Sequence, residues 1–211
     1  MANKILEDLV TEDLVTDRDE PDPQGGGGGR VIKELTWTVM LKNYPNSSIH
    51  TEDLYDKIGG GLPELLRKNP IAWENSCAIR MSRALNYSGK KLGNAPSRGG
   101  NIVGDDGYNY WIRVRDLQKY LVDNLPKPNV DKAGAIDIVN EFKNKRGIIV
   151  FDVSGWGNAT GHFTLWDGSH LIYPGDPSHD DPGSQYYYFH MNYVQNSKTI
   201  KTTRIRLWQL R

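Results

Sequence analysis

The chain holds a single thiol, Cys77, among its 211 residues. An isolated cysteine is ordinarily a small buried hydrophobe. Its position changes that expectation. Apolar residues at 77, 78, 81, 84 and 85 have helical spacing, and Asn75 or Ser76 stands where an N-cap belongs, so a helix is predicted to begin at the cysteine. At the first turn of a helix, outward-pointing backbone N–H groups and the macrodipole favour a thiolate, the nucleophilic form of the side chain.

Thiol catalysis also needs a base. His162 lies 85 residues further on, directly after Gly161 and at the start of a predicted strand, where an imidazole can project from a rigid element toward the helix end. A histidine there can also merely pack, but His50 and His179 fall in predicted loops and His190 in an aromatic polar stretch. A third group should accept a hydrogen bond from the second imidazole nitrogen and fix the tautomer. If Asp167-Gly168 closes a two-residue hairpin, Trp166 faces Ser169 and His162 faces Tyr173. Asp176 then lies just beyond that point and is preferred, whereas Asp167 sits at the far turn. Asp180 and Asp181 lie further along a loop.

The elements that must position these groups follow from periodicity. Folded structure is predicted to begin near Trp37, followed by a turn at residues 43–46 and a short helix at 52–58 ahead of Gly59-Gly60-Gly61. Residues 92–109, rich in Gly, Asn and Ser, read as an exposed loop, with helices predicted at 114–122 and 131–142. From Gly147 the period changes to that of strands, at 148–153, 161–166, 169–173 and 203–210. Helices first and strands afterwards predict an α+β domain, N-terminal helices packed on an antiparallel sheet.

Charge divides the chain. Residues 1–29 carry eight acidic and two basic side chains, a tandem Glu-Asp-Leu-Val-Thr repeat and five consecutive glycines, and are read as a disordered acidic leader and Gly linker. It is either an engineered linker or a docking or export leader. The remainder, a domain over 30–211, carries 24 basic and 18 acidic side chains. That excess fits an anionic partner, but it forms no dense basic block and does not point to nucleic acid. One sulfur is too few for an internal disulfide or a thiolate-rich zinc site. No stretch approaches the ~18 apolar residues of a membrane span, and the start has no apolar core or cleavage site of a classical signal peptide, so no membrane insertion is expected.

Several blocks resemble the family 4 amidase effectors of type VI secretion, in the same order. The longest is Asn75-Ser76-Cys77-Ala78-Ile79-Arg80-Met81-Ser82-Arg83-Ala84-Leu85-Asn86-Tyr87-Ser88-Gly89. The others are Asn43-Tyr44-Pro45, Tyr55-Asp56-Lys57-Ile58-Gly59-Gly60, Gly107-Tyr108-Asn109-Tyr110-Trp111-Ile112-Arg113-Val114 and Gly161-His162-Phe163-Thr164-Leu165-Trp166-Asp167-Gly168. The resemblance spans roughly residues 35–211. It implies a papain-like cell-wall cysteine peptidase fold and hydrolysis of the γ-D-glutamyl to meso-diaminopimelate amide of peptidoglycan stem peptides. The family's nucleophile maps onto Cys77 and its histidine onto His162; its aspartate follows the hairpin and is carried to Asp176. Many members have a cysteine pair there that this chain lacks. The resemblance further implies a secreted antibacterial effector acting in the periplasm of target bacteria, delivered by the type VI apparatus and neutralised by a cognate immunity protein.

The expected chemistry is acyl transfer to Cys77 with His162 as base and then acid, without metal or organic cofactor. The rival readings are a thiol peptidase or transamidase acting on protein, and a non-catalytic wall-binding module in which Cys77 only packs.

Overall fold

The computed structural model describes residues 35–134, 138–157, 159–175 and 186–211. The predicted leader at 1–29, and Asp176, His179, Asp180 and Asp181, lie outside the described residues. Among the described residues five helices come first: α1 (Trp37–Asn43), α2 (Thr51–Ile58), α3 (Leu62–Lys68), α4 (Pro70–Trp73) and α5 (Cys77–Tyr87). A small hairpin follows, β1 (Asn101–Val103) with β2 (Asn109–Trp111), and then α6 (Val114–Asn124). The main sheet is built from β3 (Val130–Ala133), β4 (Gly147–Ser154), β5 (Gly161–Trp166), β6 (Asn192–Gln195) and β7 (Lys198–Gln209), with α7 (Ile138–Glu141) and α8 (Tyr187–His190) in its connections.

All pairings are antiparallel. The order is β3-β7-β4-β5, and β6 pairs with the first part of β7. β4 is central because it can bury both faces: Ile148, Ile149, Val150 and Phe151 are all fully buried. Successive strand residues point to opposite faces. Thus Ile148 and Val150, with Phe163 and Leu165 of β5, pack against α1, α5 and α6, while Ile149 and Phe151 join Phe142, Tyr188 and Phe189 on the other face. This is the expected α+β arrangement of helices on an antiparallel sheet. Among the described residues no helix is long and apolar enough to cross a membrane.

Three local expectations are corrected. Residues 131–142 do not form one helix: Val130–Ala133 pairs with Arg204–Leu207 of β7, and among the described residues of this span only Ile138–Glu141 is helical. The unsatisfied edge of β7 outweighs the helical spacing there. Within the expected loop at 92–109, Asn101–Val103 pairs with Asn109–Trp111, held also by the Asn101 amide donating to Asn109 Oδ1 at 2.6 Å. The hairpin after β5 has a four-residue turn. Trp166 pairs with Leu171 rather than facing Ser169, and the return makes one bridge instead of a strand over 169–173.

Candidate active site

α5 begins at Cys77, where the spacing predicts, and Ser76 occupies the N-cap position. Its hydroxyl does not cap the helix, however; it accepts from Arg80 Nε at 2.8 Å and meets the hydroxyls of Thr51 (2.9 Å) and Tyr173 (3.3 Å). Every residue from Cys77 to Asn86 is buried. A helix enclosed on all sides must satisfy its polar groups internally. Arg80 does so by donating to the carbonyls of Pro45, Asn46 and Ile49, which ties the Tyr44-Pro45-Asn46 turn to α5.

His162 opens β5 opposite Phe151 of β4. A Cβ on the preceding Gly161 would lie 2.1 Å from the Phe151 carbonyl oxygen, so only glycine lets the two backbones approach this closely. The imidazole is 2% exposed and stacks with two phenol rings, parallel to Tyr188 at 4.2 Å between centroids and tilted 29° to Tyr173 at 5.7 Å. Nε2 is 2.9 Å from the Tyr173 carbonyl oxygen. A carbonyl can only accept, so Nε2 carries the proton and Nδ1 is the basic nitrogen of the neutral ring.

Tyr173 joins the two halves of the site. Its hydroxyl reaches Ser76, next to Cys77, while its carbonyl and ring contact His162. Tyr44 adds a second link. Its hydroxyl donates to the carbonyl of Phe163, the neighbour of His162, at 3.3 Å. Burial pushes its phenol well above the usual range, with Arg80 pulling the other way and the charge of Cys77 adding to the rise. Cys77 itself is 1% exposed, yet it lines a cleft of about 390 Å³ with Asn75, Arg113, Arg115, Trp156 and Thr160.

The acids weighed from sequence divide. Asp167 caps the turn, its carboxylate accepting from the backbone N–H groups of Ser169 and His170 at 2.7 and 2.6 Å. Burial works to raise its pKa, but these bonds outweigh it and hold the carboxyl below its ordinary value. It stands at the opposite end of β5 from His162, about 16 Å of strand away. Asp176 lies outside the described residues. Of the other histidines, His50 precedes α2 and His190 ends α8, both exposed.

Residues 73–208 match the family model of Tae4, the type VI secretion system amidase effector protein 4. The chain belongs to this family. It is an amidase effector of type VI secretion, a hydrolase secreted into target cells. Among solved structures, Tae4 of Enterobacter cloacae in its Tae4-Tai4 effector-immunity complex is 26% identical, with a TM-score of 0.65 over 84% of this chain and 99% of that one. The corresponding Salmonella Typhimurium complex is 25% identical with a TM-score of 0.63, covering 84% and 99%. The uncomplexed Enterobacter cloacae effector is 26% identical with a TM-score of 0.62, covering 84% and 98%. No curated protein sequence gives a significant match. The likeness to these Tae4 structures fits the papain-like fold expected from sequence.

Sequence reasoning missed Arg80 and Tyr188 as members of the site. Arg80 had a visible signal, a charged residue inside an otherwise buried helical block. Tyr188 had none beyond its aromatic neighbours. Tyr173 was expected opposite His162 through a two-residue turn; it reaches His162 by a different register, through its carbonyl and ring.

Proposed function

We propose that Cys77 and His162 are the nucleophile and the acid–base group of an amidase that cuts the γ-D-glutamyl to meso-diaminopimelate bond of peptidoglycan stem peptides. The observation that carries this reading is Tyr173, which bridges the residue beside Cys77 to the imidazole of His162. With Nε2–H held by the Tyr173 carbonyl, Nδ1 takes the thiol proton. The thiolate attacks the glutamyl γ-carbonyl, and the oxyanion develops at the positive end of α5, where the Cys77 N–H donates to it. Removing one donor of this kind typically costs ~2.7–4 kcal/mol of transition-state stabilisation. Collapse breaks the C–N bond, and the imidazolium returns the proton to the departing diaminopimelate amine. Water, deprotonated by His162, then cleaves the thioester, releasing the glutamyl γ-carboxylate and restoring the thiol.

Asp176, three residues beyond Tyr173 in the chain, serves as the acidic group that steadies the imidazolium. The enzyme acts in the periplasm of the target bacterium, and a cognate immunity protein neutralises it, as Tai4 partners Tae4 in the solved complexes. The test is digestion of purified sacculi followed by mass analysis of the muropeptides. Wild type should split the stem between glutamate and diaminopimelate, and Cys77→Ala should leave stems intact while remaining folded. Stem cleavage by Cys77→Ala would reject the mechanism.

A further inference from the structure

The cleft at Cys77 has a chemical bias that the acyl-transfer step does not use. Two arginines, Arg113 and Arg115, line it on either side of the buried Val114, and no aspartate or glutamate among the described residues does. Several other guanidinium groups have protein partners. Arg204 and Arg206 meet Asp131 and Asp152, while Arg80 and Arg83 donate to backbone carbonyls. Among the described residues, neither Arg113 nor Arg115 has a side-chain hydrogen bond or ion pair. Arg113 is nevertheless half-buried, a position in which a guanidinium gains most from an anion.

The segment carrying them is fixed to the nucleophile helix. Ser82 of α5 accepts from the Trp111 N–H at 2.9 Å and donates to the Trp111 carbonyl at 3.2 Å. The Ile112 N–H bonds to the Gly100 carbonyl at 2.9 Å, and α6 begins at Val114. The backbone that carries the arginines is therefore fixed relative to α5.

The substrate proposed above presents two carboxylates near its scissile amide. A γ-linkage leaves the α-carboxylate of the glutamyl residue unreacted, and the side-chain end of diaminopimelate carries another. We propose that Arg113 and Arg115 form a carboxylate-binding subsite that selects stems whose glutamyl α-carboxyl is free over stems in which it is amidated. Amidation removes the charge and replaces an acceptor oxygen by a donor NH2, which a guanidinium, itself only a donor, cannot bond. The assignment rests on the cleavage site proposed above.

The experiment compares disaccharide-tetrapeptides bearing a free or an amidated glutamyl α-carboxyl, with wild type, Arg113→Gln, Arg115→Gln and the double variant, each checked for folding by circular dichroism. Wild type should favour the free acid in kcat/KM by about 10- to 100-fold, the range expected for a charge-assisted contact. The double variant should lose most of that preference through a higher KM for the free acid. Arg115→Gln, at an exposed position, keeps the test valid if Arg113→Gln does not fold. Equal wild-type rates on both stems, or an unchanged preference in folded variants, would overturn the subsite and leave the amidase reading intact. Failure of wild type to cut either stem at the glutamyl-diaminopimelate bond would overturn the amidase reading and the subsite with it.

Discussion

The guanidinium carbon of Arg80 lies 4.0 Å from the centre of the Tyr173 ring, and both side chains are buried. This contact is the keystone between the helix that begins at Cys77 and the segment that holds His162. Arg80 also fastens Ser76 and three carbonyls of residues 45–49, so one charge organises the N-terminal end of α5.

Replacing Arg80 by methionine keeps volume but leaves those acceptors buried without their donor. Each such group costs ~1–3 kcal/mol, so the loss in urea unfolding should be at least about 3 kcal/mol. A loss under about 1 kcal/mol would show that the guanidinium is not what holds this end of the helix.

Tyr188 supplies the parallel face against His162 and also stacks on Phe151. Tyr188→Ala should cost about 3–5 kcal/mol, as removal of a buried aromatic does, and should lower kcat more than it raises KM because the imidazole loses its fixed plane. Tyr188→Phe keeps the ring and should retain most of the activity. Equal damage from both variants would shift the role from the ring to the hydroxyl.

Gly161→Ala places a methyl against the Phe151 carbonyl and must push β5 from β4 where His162 begins. Thermal unfolding should register a loss of about 1–3 kcal/mol, and activity should fall with it. Unchanged stability and activity would show that the two strands can separate without moving the imidazole.

Alkaline pH should weaken the fold. Burial raises the phenol pKa of Tyr87, helped by its hydrogen bond to Asp106, to about 12, and burial likewise raises those of Tyr44 and Tyr110. A raised folded-state pKa contributes stability that is fully present below the unfolded value near ~10 and is lost as pH rises through the folded value. Unfolding free energy should therefore decline from about pH 10 upward, with these tyrosines ionising only as the chain opens. Ultraviolet titration alongside denaturant melts checks this; full ionisation of all eleven tyrosines near pH 10 in the folded protein would contradict it.

Legibility in the sequence followed the range of the interactions. The start of α5 and the spans of β4 and β5 were readable because each is set by its own local sequence, and the register that puts His162 opposite Phe151 grows from the short connection between Ser154 and Gly161. β3 was not, because Val130–Ala133 is a strand only through its pairing with β7, more than seventy residues away. The hairpin of β1 and β2 hid behind a turn-like composition and is fixed by side chains, such as Asp106 Oδ1 accepting from the Tyr108 N–H at 3.0 Å. In the proposed site, Cys77 and His162 were picked out by residue type and position. Arg80 and Tyr188 were not, because their part depends on what folding places against them.

The most direct test of the account is rapid-quench mass spectrometry of the enzyme during turnover of a stem peptide. The account predicts a transient glutamyl thioester on the peptide containing Cys77, formed before the new γ-carboxylate is released. Release of both products from wild type with Cys77 unmodified throughout, or undiminished release by Cys77→Ser, would contradict it.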